Sequence, residues 1–160
     1  MKFFIPFLLL IVATTDINQT IYNFKLKNLD NRTVSYQDLK GENLTIIDFW
    51  ATWCKPCLQS IPKLVKMSHE FEDRGVQFIG VSVDGPRNLN KVRPFAKSVG
   101  IDYPVLLDTD NSVMGRVGVR AVPSLLIVNS NDEIVYFHEG YAPGEDKIIR
   151  EEILNHLNPS

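Results

Sequence analysis

The stretch Ile46-Ile47-Asp48-Phe49-Trp50-Ala51-Thr52-Trp53-Cys54-Lys55-Pro56-Cys57 decides how this chain is read. It holds both cysteines of the 160-residue sequence. An apolar run short enough to be a buried strand leads directly into Cys-x-x-Cys. A strand that feeds a helix through that spacing marks a redox-active dithiol. The spacing argues against a structural cross-link. A loop this short closes almost by itself, and the entropic model credits its disulfide with only about 2 kcal/mol. The same closeness suits exchange, because the second thiol can attack a mixed disulfide formed by the first. The chemistry implied is reversible thiol–disulfide exchange.

The spacing predicts a helix that starts at Cys54. Free N–H groups and the helix dipole would then favour its thiolate. Lys55 adds a cation nearby, and Pro56 falls in the first turn, where its missing N–H costs nothing. Cys57, one turn on, is expected to face inward. Cys54 is therefore read as the nucleophile and Cys57 as the resolving thiol. Zinc would need about four ligands. Only His69, His138 and His156 could join the cysteines, and none belongs to a paired motif. No metal and no cofactor beyond the Cys54–Cys57 disulfide are expected, and the histidines are read as surface or helix-end residues.

Length and composition bound the rest. The sequence suits one domain, and 44% hydrophobic with 22% charged residues describes an ordinary globular chain. A formal net charge of −2, with no arginine-rich stripe, argues against nucleic acid as a partner. The amino terminus differs from the remainder. Met1-Lys2 precedes the apolar run Phe3–Ala13, and polar Thr14-Thr15-Asp16 follow. A membrane-spanning helix needs about 20 apolar residues, so this shorter run fits a secretory signal. The expectation is a signal peptide over 1–13, extending to about 20 at most, and a domain over 21–158 that works outside the cytoplasm, in a periplasm or secreted. A buried first strand is the other reading of the run. The sequons at Asn18, Asn31 and Asn43 carry meaning only in a eukaryotic secretory pathway.

Along the chain, residues 21–45 read as a small β element that turns at Asp30-Asn31. Ile46–Trp50 reads as a buried strand. Residues 54–73 show helical spacing through Leu58, Ile61, Leu64, Val65 and Phe71, interrupted by Pro62, which should kink the helix. Val76–Val83 is nearly continuous apolar, as in a central parallel strand. A helix is expected over Asn88–Val99, a strand over Tyr103–Leu107 and a short helix over Asn111–Val117. Strands over Ser124–Val128 and Ile134–His138 flank a turn. A closing helix over Glu145–Leu157 is expected to turn Ile148, Ile149, Ile153 and Leu157 to the sheet. The order gives an α/β sandwich with a mixed sheet.

Phe49–Cys57 resembles the active-site segment of the thioredoxin superfamily. The wider pattern resembles its extracytoplasmic branch, the TlpA/ResA-like thiol–disulfide oxidoreductases. Asp38-Leu39-Lys40-Gly41, Ile61-Pro62, Ile79-Gly80-Val81-Ser82-Val83-Asp84, Tyr103-Pro104-Val105, Gly118-Val119-Arg120-Ala121-Val122-Pro123 and Gly140 carry it, over roughly residues 22–157. The resemblance implies a thioredoxin fold, a mixed central sheet flanked by helices, with an N-terminal β-hairpin and an inserted βα unit at about residues 84–107. It implies that Pro123 is a cis-proline beside the cysteines, turning the Val122 backbone towards an extended substrate. Asp48, six residues before Cys54, matches the buried acid of thioredoxins. A carboxyl on a buried strand should have a raised pKa and can relay a proton with Cys57. A surface acid on an edge strand is the alternative. Trp53 is expected to cover Cys54 and, with Lys55 and Pro56, to meet substrate, while Trp50 is core. The chain departs from ResA-like relatives at two places. They tend to carry asparagine at the position of Asp48 and glutamate at that of Ser60, so no haem-maturation role is implied.

The expected activity is the reduction of disulfides in extracytoplasmic proteins by a monomer that a membrane electron donor re-reduces. A disulfide oxidase or isomerase shares the fold and differs in potential. A thiol peroxidase would want a threonine three residues before its cysteine, whereas Thr52 stands two before Cys54. A copper-binding chaperone would use soft thiolates, with a wider cysteine spacing and a distal histidine, for which His138 is the candidate.

Overall fold

Strand β3 (Leu44–Trp50) is buried at every position, as its run of Leu, Ile, Phe and Trp requires. It is an interior strand, fifth in a seven-stranded sheet, in a computed structural model that describes residues 19–158. The expected signal segment lies outside the described residues. The strand order is β2-β1-β5-β4-β3-β6-β7. Strands β4 (Val76–Ser82) and β5 (Val105–Leu107) run parallel to β3. Strands β6 (Ser124–Asn129) and β7 (Ile134–Glu139) form an antiparallel meander on its other side. The hairpin of β1 (Lys25–Asn28) and β2 (Thr33–Ser35) adds to β5. This is the thioredoxin fold, with the hairpin and the inserted unit that the resemblance implies.

The helices follow from the connections. Helix α2 (Cys57–Phe71) crosses from β3 to β4, and α3 (Leu89–Ser98) from β4 to β5. The single turn α1 (Tyr36–Leu39) holds because Ser35 and Asp38 cap each other's backbone N–H groups. Helix α4 (Ser112–Arg116) is one turn more, and α5 (Glu145–Leu157) closes the chain. On one face of the sheet, Leu44 and Ile46 pack with Leu64, Met67 and Phe71 of α2 and with Ile149 and Ile153 of α5. Strand alternation places Asp48 and Trp50 on that same face. Trp50 stacks on Phe95 of α3 at 5.1 Å between ring centroids. Ile47 and Phe49 join a second cluster with Phe24, Val113 and Val117, which also takes in both cysteines.

Several expectations need correction. Helix α2 begins at Cys57, not Cys54, because residues 51–56 form hydrogen-bonded turns and Pro56 stands at the cap. Pro62 does not interrupt it; the helix is continuous to Phe71 and ends through a 3₁₀ turn at Gly75, with φ 68°. Leu58 is 49% exposed and points away from the core. The helix before β5 starts at Leu89 after a 3₁₀ turn over Pro86–Asn88. Strand β5 starts at Val105 rather than Tyr103, since the ring of Tyr103 packs into the core cluster. Helix α5 has the expected limits, but Ile148 is 48% exposed and only Ile149 and Ile153 are buried.

Candidate active site

Cys54 and Cys57 form a disulfide, with their Cα atoms 5.3 Å apart. The chain leaves β3 at Trp50 and turns, the Cys54 N–H donating to the Ala51 carbonyl at 3.1 Å. It then enters α2 through three further bonds, Leu58 N–H to Lys55 O at 3.2 Å, Gln59 N–H to Pro56 O at 3.0 Å and Ser60 N–H to Pro56 O at 3.1 Å. The Cys57 N–H, free because it opens the helix, donates to Cys54 Sγ at 3.3 Å. That donor and the helix dipole favour negative charge on Cys54 sulfur. The later helix start therefore leaves the expected electrostatics in place. Cys54 is 4% exposed and Cys57 is fully buried, so an incoming group meets Cys54 first. Trp53, 62% exposed, and Leu58 present apolar surface beside the pair, with Lys55 and Pro56 exposed between them.

A buried carboxylate holds the turn. The Thr52 N–H donates to Asp84 Oδ2 at 2.9 Å, and the Thr52 hydroxyl donates to Oδ1 at 2.6 Å. The Ser82 hydroxyl adds a bond to Oδ2 at 3.0 Å. The Thr52 hydroxyl is thus committed to Asp84, away from the role a peroxidase would ask of it. Sequence reasoning took Asp84 only as the last residue of the Ile79–Asp84 motif and gave it no role of its own. An acid directly after a fully apolar strand, with a threonine in the facing turn, was the available signal.

Asp48 lies between Gly80 of β4 and Leu125 of β6. It is 2% exposed, and its Oδ2 has no hydrogen-bond partner among the described residues. Burial pushes its carboxyl up to about 7. The surface-acid alternative is therefore excluded. Asp48, Ser60, Pro123, His138 and Tyr141 line a crevice of about 10 Å³, with room for about one water. The Ser60 hydroxyl donates to the Cys57 carbonyl at 3.4 Å, which ties this crevice to the first turn of α2. The glutamate that ResA-like relatives tend to carry would stand where Ser60 does. His138 is thus no plain surface residue. It lines the crevice while its ring nitrogens meet Tyr136 Oη at 3.2 Å and Glu145 Oε2 at 3.1 Å.

The Val122–Pro123 peptide bond is cis, as the resemblance implies. Pro123 is held where the Gly140 N–H donates to its carbonyl at 2.7 Å. Val122 is half-buried, and neither its N–H nor its C=O joins a backbone hydrogen bond among the described residues. Among the described residues, no three His, Cys, Asp or Glu side chains converge as a metal site, and no helix is long and apolar enough to cross a membrane.

Residues 17–137 match the model of the AhpC/TSA family. The chain is 28% identical to the thiol–disulfide oxidoreductase ResA of Halalkalibacterium halodurans over 137 residues, 86% of this chain and 74% of that protein. It is 32% identical to ResA of Bacillus subtilis over 113 residues, 71% of this chain and 62% of that protein. Among solved structures, an uncharacterized thioredoxin-like protein from Porphyromonas gingivalis superposes with a TM-score of 0.72 at 33% identity, covering 86% of this chain and 91% of the other. A Chlorobium tepidum protein, assigned provisionally as the thiol:disulfide interchange protein DsbE, gives 0.80 at 25% identity, with 88% and 97% covered.

Proposed function

We propose a reductase: the chain belongs to the AhpC/TSA family and is a thiol–disulfide oxidoreductase, and its site favours reducing disulfides in other proteins. The observation that carries this direction is Asp48. A buried carboxyl poised near neutrality, in a crevice tied to the first turn of α2, suits the deprotonation of a buried thiol. In the reduced enzyme, Cys54 thiolate attacks one sulfur of a substrate disulfide. A mixed disulfide forms, and the other substrate sulfur leaves as a thiolate. Asp48 takes the proton of Cys57, whose thiolate attacks Cys54 Sγ. The second substrate thiolate departs, the Cys54–Cys57 bond forms, and two electrons have passed to the substrate.

Trp53, Lys55 and Pro56 meet the substrate around Cys54, and the unpaired backbone of Val122, beside Pro123, receives an extended segment. The run Phe3–Ala13 directs the domain over 21–158 out of the cytoplasm as a monomer. In an oxidising compartment the spent disulfide needs a dithiol reductant, supplied by a membrane electron donor. Cys54→Ser is expected to abolish turnover. Cys57→Ser is expected to accumulate a covalent mixed disulfide with a peptide disulfide, seen by mass and released by dithiothreitol. Turnover by Cys54→Ser, or a trapped adduct on Cys57 in that variant, contradicts the assignment of roles.

A further inference from the structure

Three buried polar side-chain atoms lack a hydrogen-bond partner among the described residues: Asp48 Oδ2, Trp50 Nε1 and Tyr103 Oη. They belong to one neighbourhood. Asp48 and Trp50 share a face of β3, and Gly80 is the register partner of Asp48 on β4. A methyl group on Gly80 would lie 2.8 Å from Trp50 Nε1 and 3.3 Å from Tyr103 Cε2. The indole edge and the phenol ring therefore both lean over the one position beside Asp48 that has no side chain. Two donors and one acceptor lie in that neighbourhood, none of them hydrogen-bonded to another or to any other described group.

The ring of Tyr103 has a packing role, 5.9 Å from the Phe78 ring. A phenylalanine would fill that role equally. The hydroxyl adds a buried polar atom that destabilises the core unless something uses it. Burial and then the Asp48 charge hold this hydroxyl well above the ordinary tyrosine range, so it stays a donor. The other polar or titratable groups that line the crevice with Asp48 are Ser60 of α2, Ser124 of β6, His138 of β7 with its Glu145 contact, and Tyr141.

We propose that Tyr103 is a positioning residue for the dithiol reaction: its hydroxyl, with the Trp50 N–H, stabilises the ionised Asp48 carboxylate and so sets the pH at which Asp48 can accept the Cys57 proton. The inference rests on the reading of Asp48 as that acceptor. Removing the donor destabilises the carboxylate, so Asp48 holds its proton to higher pH and the resolving step slows at neutrality.

The test follows resolution of the mixed disulfide across pH in the full chain, with a model peptide disulfide as substrate. Tyr103→Phe is expected to move the inflection upward by about one unit, a roughly tenfold slower step at pH below the inflection. Fluorination of the Tyr103 ring strengthens the donor and preserves packing, and it is expected to move the inflection downward. In an Asp48→Asn background, Tyr103→Phe is expected to change nothing further. An unmoved inflection in either Tyr103 variant, or an equal effect of Tyr103→Phe with and without Asp48, overturns the proposal. An unchanged profile in Asp48→Asn alone instead overturns the acceptor role of Asp48, and the proposal falls with it.

Discussion

At the scale of single residues, Asp48 links redox chemistry to stability. In the unfolded chain its carboxyl titrates near 3.8, and in this oxidised fold near 7. The folded state thus keeps the proton over a pH range where the unfolded state has lost it. The stability associated with the neutral acid is fully present below the unfolded value. It declines as pH rises through the folded value, and above that both states are ionised and the loss is complete. A shift of this size corresponds to about 4 kcal/mol as an order of magnitude. Urea unfolding of the oxidised protein at pH 5 and pH 8 checks this: the native chain is expected to be weaker at pH 8, and Asp48→Asn is expected to remove most of that difference. A native chain equally stable at both pH values would contradict the burial argument. Asp48 was legible in the sequence because a lone carboxylate interrupts an apolar strand. Tyr103 was not, since its importance depends on Gly80 of a neighbouring strand. Leu58 and Ile148 misled because helical spacing marks a stripe without stating which of its borders is covered.

At the scale of elements, the geometry of the Cys54 turn depends on Asp84. Its buried carboxylate accepts from the N–H and hydroxyl of half-buried Thr52 and from the buried Ser82 hydroxyl. Asp84→Ala strands those donors, each worth roughly 1–3 kcal/mol when left unsatisfied. The variant is expected to lose about 3 kcal/mol or more in urea titration, and Thr52→Val about 1–2 kcal/mol. A change below 0.5 kcal/mol for Asp84→Ala, within the range of ordinary surface substitutions, would show that the turn holds itself. The start of α2 teaches the same lesson about reading sequence. Cys54, Lys55 and Pro56 are compatible with a helix, yet local turn bonds delay it to Cys57. Pro62 lies within the helix interior without ending it. The strands were read well because β3, β4 and β6 are almost continuously apolar, and such runs leave little choice of partner.

At the scale of the whole molecule, the inserted unit carries α3 and β5 and seats β5 between β4 and the N-terminal hairpin. The same unit supplies Phe95 against Trp50 and brings Tyr103 over Gly80. It therefore supports the active-site end of β3 as well as widening the sheet. The fold was legible because several motifs far apart in the chain agreed on one topology. The physiological direction of electron flow is a property of the whole protein, since it depends on how much the fold favours the dithiol over the disulfide. The most direct test is the reduction potential of the Cys54–Cys57 pair, measured by equilibration with thiol redox buffers. A value near or below about −270 mV is expected for a reductase with its own electron donor. A value near about −120 mV would mean that the protein donates its disulfide to others, and would contradict the account.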